Sequence, residues 1–313
     1  MSTTTALVIF PVLSALALKQ TGGNAVAFPS REAGVGNPYV GIPAIDDAIC
    51  GFVTFFHIAF TPPVRPVLHY FLENALVLLA IPALEAARPG RHYLLGLPVL
   101  YGLAMQLFTV GAVLPIYWLV FILTNTAKRT SSTGIPSTHA QAVAFGIFIG
   151  AAVPSACLIL LQDSKVTALW QLFPVWQFVA QSAHLLVRRS AIHESGFPWI
   201  QALYLCAFVV SSSIHIATLF RTADLQGIFV PSMSPRVSAS TTLQVLDLLQ
   251  WDMIFAFAST LLGTVWLGRT RREVLFIALW NVVGSAVFGP GAAIAAVALW
   301  RESCLHAAVS TRS

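Results

Sequence analysis

Nine apolar stretches, joined by short connections, decide what this chain can fold into. They run near residues 3–18, 43–60, 66–87, 94–124, 138–162, 166–187, 199–220, 242–268 and 274–299. Each approaches or exceeds the roughly 20 residues that a helix needs to cross a bilayer. Water is a poor solvent for such a chain, because 9% of its residues are charged and 57% are hydrophobic. Soluble domains carry about 25% charge. A mean hydropathy of +0.79 would leave much apolar surface uncovered in water. The expected fold is therefore all-α, a polytopic transmembrane helical bundle of about nine helices (eight to ten). No internal repeat of fixed period appears, and no polar segment is long enough for a second unit, so residues 1–313 read as a single transmembrane helical domain.

Some stretches carry their own complications. Residues 94–124 contain Gly96, Pro98, Gly102, Gly111 and Pro115, which fit either one long kinked helix or two helices meeting at a tight turn. Gly289-Pro290-Gly291 interrupts the last stretch, and a kink is expected there. The first stretch lacks a basic leading flank and is followed by Lys19, which favours a retained anchor over a cleaved leader. Counting Lys and Arg by loop gives nearly equal sides with nine helices and an imbalance with ten, so orientation stays open. The net charge of +5 does not indicate nucleic acid, because the basic residues lie scattered between apolar runs. Arg269, Arg271 and Arg272 instead suit a cytoplasmic loop near anionic headgroups. Cys50, Cys157, Cys206 and Cys304 lie far apart and read as buried free thiols. After Asn125–Arg129 an exposed loop is expected, with Ser137 or Thr138 capping the following helix.

With so little charge, the ionisable residues inside the stretches carry most of the functional information, since each is costly in hydrocarbon. They are Asp46, Asp47, His57, His69, Glu73, Glu85, His139, His184, His215, Asp247 and Asp252. Asp46 and Asp47 follow Gly41-Ile42-Pro43, where helix amides favour a carboxylate, so capping competes with function. Glu85 stands near a helix end beside Arg88 and reads as half of a surface pair. Glu73 lies deeper, with His69 four residues before it on the same helix face. Asp247 and Asp252 stand five residues apart, about 140° around a helix, so one can organise structure while the other meets a ligand. A carboxyl desolvated in apolar surroundings holds its proton more tightly and can serve as a Brønsted acid.

Aromatic faces stabilise positive charge without attacking it, and Trp251, Phe255 and Trp176 are among those available for a cationic intermediate. Taken singly, each such ring reads as interface or lipid-facing filler. Several chemistries are disfavoured by missing motifs. Asp46-Asp47 lacks the third aspartate of a magnesium–diphosphate motif. The sequence also contains no His-x-Glu-x-x-His, Gly-x-Ser-x-Gly, phosphate-binding glycine loop or Cys-x-x-Cys-His.

Three blocks and the close of the chain suggest a family. Gly41-Ile-Pro-Ala-Ile-Asp-Asp-Ala-Ile-Cys-Gly-Phe-Val-Thr-Phe-Phe-His57, Leu249-Gln-Trp-Asp252 and Gly289-Pro-Gly-Ala, with Trp300-Arg-Glu302, resemble integral membrane terpene cyclases of fungal meroterpenoid pathways. The resemblance implies cyclisation of a prenyl (farnesyl-type) chain, begun by protonation of a terminal epoxide or alkene, with no metal and no cofactor. It implies one acid on an early helix and another on a late helix, parts that Glu73 and Asp252 fit by position. Asp247 and Asp47 complete the candidate catalytic set, with His57, His69, Trp251, Phe255 and Trp176 placed to bind substrate. The expected partners are a hydrophobic prenylated small molecule and the lipid bilayer, at a multi-pass location in the endoplasmic reticulum. A proton-coupled transporter and a sterol-type double-bond isomerase are the alternatives.

Overall fold

The computed structural model describes residues 1–23, 41–128, 134–188, 194–233 and 239–310, the side chains of 309 and 310 excepted. Among these residues the regular structure is helical, and one isolated bridge joins Pro136 to Ser195. The α-helices are α1 (Thr3–Gly23), α2 (Pro43–Ala59), α3 (Arg65–Asn74), α4 (Leu76–Ala87), α5 (Pro98–Phe108), α6 (Val110–Leu123), α7 (Ser137–Ile147) and α8 (Val153–Leu161). They continue as α9 (Ser164–Trp170), α10 (Phe173–Val187), α11 (Phe197–Arg221), α12 (Leu225–Phe229), α13 (Thr241–Val265), α14 (Arg271–Phe288) and α15 (Pro290–Ser310).

Local chemistry sets where these helices start. Proline stands in the first turn of α2, α3, α5, α10 and α11, where its missing N–H costs no hydrogen bond, whereas Pro154 of α8 follows the π-helical turn Phe148–Ala152 that carries α7 on into α8. Helix α14 opens on a capping box, in which the Thr270 hydroxyl accepts from the Glu273 amide and the Glu273 carboxylate accepts from the Thr270 amide. Neither Ser137 nor Thr138 caps α7. Pro136 holds that position, and the Ser137 amide donates to the Glu194 carbonyl instead.

Five stretches are long and apolar enough to cross a bilayer: 3–22, 65–87, 137–161, 197–221 and 241–265. The other four of the nine expected stretches are shorter or split. Helix α2 has 17 residues. Residues 94–124 form α5 and α6, which meet at Thr109, so the turn and not the continuous kinked helix is found. Residues 166–187 divide between α9 and α10, and 274–299 between α14 and α15. At that last division the helix ends outright: Gly289 has φ +89°, and a Cβ there would lie 2.7 Å from the His215 side chain. Only glycine fits both demands.

Helix α13 occupies the middle of the bundle, against α1, α2, α3, α6, α14 and α15, while α15 also packs on α4 and α11. The interior is apolar, with Phe10, Leu68, Trp118, Tyr117 and Phe121 fully buried. The exterior is apolar as well: Leu160, Leu186, Val187 and Phe220 stand largely exposed, an arrangement that lipid covers and water does not. The four cysteines are free, but Cys206 is exposed and the others half-buried, so they do not form part of the core as expected.

Candidate functional site

The central helix carries two buried acids that turn to different neighbours. The Asp252 carboxylate accepts the Gly111 amide of α6 at 2.5 Å, with the Val110 amide close by. The Thr109 hydroxyl lies near the same carboxyl, without the geometry of a full hydrogen bond. The first amides of a helix have no partner within it, so Asp252 caps α6 from across the bundle. The fit is close: a Cβ on Gly111 would come within 2.7 Å of the Asp252 carbonyl oxygen. Asp247, also fully buried, instead accepts the Ser232 amide at 3.2 Å. One turn on, the Trp251 indole donates to the Ser232 carbonyl at 2.9 Å and stacks on Phe255, with ring centroids 5.5 Å apart.

Glu73 lies on α3, half-buried, with one carboxylate oxygen 3.9 Å from His69 Nδ1. No arginine reaches it among the described contacts. The residue of α3 that meets α13 is Phe71, whose ring packs edge-on against Phe257 at 6.0 Å. Among the described residues no hydrogen bond or ion pair joins Glu73 to Asp252. Neither acid lines either of two clefts among the described residues. One encloses about 450 Å³, counting space open to the outside, between α4, α5 and α10 beside Tyr101 and Gln177. The other, about 270 Å³ on the same basis, lies beside Arg88 and Glu302. The remaining candidates are dispersed: Asp47 and His57 are exposed on α2, and Trp176, partly exposed on α10, donates its indole N–H to the Leu169 carbonyl. Asp46 accepts the Gly41 amide at 3.0 Å, at the start of α2.

Two buried polar clusters complete the interior. The first corrects the reading of Glu85, which is 2% exposed and no surface residue. Its Oε1 accepts from Arg88 on its own helix end and from Arg301 of α15. Both arginines also reach Oε1 of Glu302, which closes a quartet of two cations and two anions. Arg301 further donates to the Thr126 carbonyl and lies over the Phe121 ring at 5.3 Å. Charges buried this deeply require such pairing. The available signals were the i, i+3 spacing of Glu85 and Arg88 and the adjacent Arg301-Glu302 in an apolar helix; their meeting across 216 residues has no local signature.

In the second cluster, the Tyr70 hydroxyl stands 2.7 Å from His215 Nδ1, and His215 Nε2 stands 3.2 Å from the Ala286 carbonyl. A carbonyl only accepts, so Nε2 carries the proton and Tyr70 donates to Nδ1. Tyr70 was invisible as a candidate because a tyrosine in an apolar helix reads as filler.

The residues that carry these clusters fall within a region that defines the chain's kinship. The chain belongs to the CtvD domain family, which matches residues 13–306. It is 27% identical over 209 residues to the terpene cyclase ascI of Acremonium egyptiacum, an overlap of 58% of this chain and 54% of the relative. It is 21% identical over 234 residues to the FAD-dependent monooxygenase verC1 of Penicillium polonicum, 67% of this chain and 29% of that protein. The chain thus spans about half, or less, of the length of these relatives. No solved structure matches it.

Proposed function

We propose that this chain is an integral membrane terpene cyclase, acid-initiated and independent of metal or cofactor, that closes a farnesyl-type prenyl chain in meroterpenoid biosynthesis. The observation that carries the reading is family membership across nearly the whole chain, with a terpene cyclase among its relatives. The proposed setting is a multi-pass position in the endoplasmic reticulum with nine crossings, the split stretches lying in the bilayer with the five long ones.

The chemistry begins when a protonated carboxyl gives its proton to a terminal epoxide oxygen, or to the terminal alkene carbon. For the epoxide, the C–O bond breaks and leaves a tertiary carbocation. Neighbouring alkenes then attack in turn, each forming a C–C bond and passing the charge along the chain, until a base removes a proton. The product is an isomer of the substrate. Glu73 suits the donor, because it is half-buried, has no arginine to hold it as an anion among the described contacts, and has His69 beside it to tune it. Asp252 suits the second acid, orienting the reacting end or taking the final proton, and Asp247 fixes the adjoining turn. The stacked Trp251 and Phe255 offer ring faces to the cation. Asp47, His57 and Trp176 stand at the margin of this scheme.

The test gives membranes holding the protein an epoxidised farnesyl-type substrate without added magnesium. A cyclic product of unchanged mass supports the proposal. Unchanged substrate refutes it, and movement of the compound across the membrane with no new product means transport. Full product formation by both Glu73→Gln and Asp252→Asn would leave the family intact and remove these acids from the mechanism.

A further inference from the structure

The elbow between α5 and α6 contains a residue out of place. Thr109 has φ +79° and ψ +154°, a region that glycine enters freely and that a β-branched side chain occupies only under strain. Glycine would cost the backbone least at this point. Threonine offers a hydroxyl that glycine lacks, and that hydroxyl is buried near the Asp252 carboxyl without a hydrogen bond of full geometry to it or to any other described residue. The backbone on either side serves the same carboxyl, since the next two amides point at it and Gly111 leaves no room for the elbow to shift toward α13. Strain held at a polar contact of this kind marks a functional constraint.

We propose that Thr109 is a positioning residue for Asp252, its buried hydroxyl kept beside the carboxyl so that it donates to it in the orientation that the reaction uses, at the expense of local backbone comfort. The inference rests on Asp252 taking part in the cyclisation described above. It predicts that stability and turnover respond in opposite directions. Thr109→Gly relieves the backbone and raises the unfolding midpoint, yet lowers kcat by about 10- to 100-fold, the scale of a misplaced reacting group, with KM nearly constant. Thr109→Ser, which keeps the hydroxyl, stays near the parent rate, and Thr109→Ala falls with Thr109→Gly. In an Asp252→Asn background the substitutions at 109 have no further effect on rate.

A second readout does not depend on turnover. In protein carrying 13C-carboxyl aspartate, the Asp252 resonance, assigned by its loss in Asp252→Asn, should move in Thr109→Gly and Thr109→Ala and stay in place in Thr109→Ser. If the parent protein cyclises nothing, the proposed function fails and this resonance still decides the contact. A Thr109→Gly protein that is stable and fully active, a Thr109→Ser protein as impaired as Thr109→Gly, rate effects that simply add to Asp252→Asn, or a resonance unmoved by Thr109→Gly would each overturn the proposal.

Discussion

The end of the bundle where α4 meets α15 and the middle where α3 and α13 pass side by side both hold carboxyls, Glu73 half-buried and the others buried, but they treat them differently. At the end, Glu85 and Glu302 each meet two arginines, so every charge is answered by another charge. In the middle, Asp252 meets backbone amides and Glu73 meets an imidazole at 3.9 Å, with no guanidinium in either shell among the described contacts. A carboxyl clamped by two arginines has little freedom to hold or release a proton, whereas one partnered by neutral groups keeps that freedom. The contrast fits an architectural part for the quartet and is the one on which the proposed chemistry of Glu73 and Asp252 rests.

The comparison can be broken most decisively at the quartet. Arg301→Met removes one cation and leaves Glu85 short of a partner, at a cost of about 3–5 kcal/mol. The folded protein should be largely lost on size-exclusion chromatography in detergent. Glu73→Gln should do the reverse: an unchanged thermal midpoint, with product formation down by about 10²- to 10⁴-fold, the usual yield of a general acid. Equal loss of fold in both variants would erase the distinction. Gly111→Ala crowds the Asp252 carbonyl and should lower stability by about 1–3 kcal/mol in a denaturation curve. Smallest is His57→Gln on exposed α2, expected within about 0.5 kcal/mol of the parent; a larger change would mean that α2 is covered by something else.

How far the sequence disclosed this arrangement depends on distance along the chain. Helical character and the five long apolar stretches were legible, because both follow from residues close together. The Gly289 break was marked by Gly-Pro-Gly, although its completeness follows from His215 pressing on it across the bundle. The Thr109 break carried no such mark at 109 itself, since Asp252, far away in sequence, supplies the acceptor that lets α6 start there. Glu85 was misjudged for the same reason. Its neighbour Arg88 was visible and explained it as a surface pair, while Arg301 and Glu302, which account for its burial, lie more than 200 residues on. The burial of Asp252 was readable from its apolar flanks, whereas Glu73, expected to lie deep, is half-buried, and the partners of both, amide for one and imidazole for the other, required the fold.

The quartet also constrains the order in which this bundle can come together as it is made. Glu85 and Arg88 leave the exit tunnel with only each other for company, and the residues that complete them are made some two hundred peptide bonds later. Until α15 arrives, α4 must wait with half a charge lattice, so that end of the bundle can close only after α15 has been made. A chain stopped before Arg301 would leave it open for good.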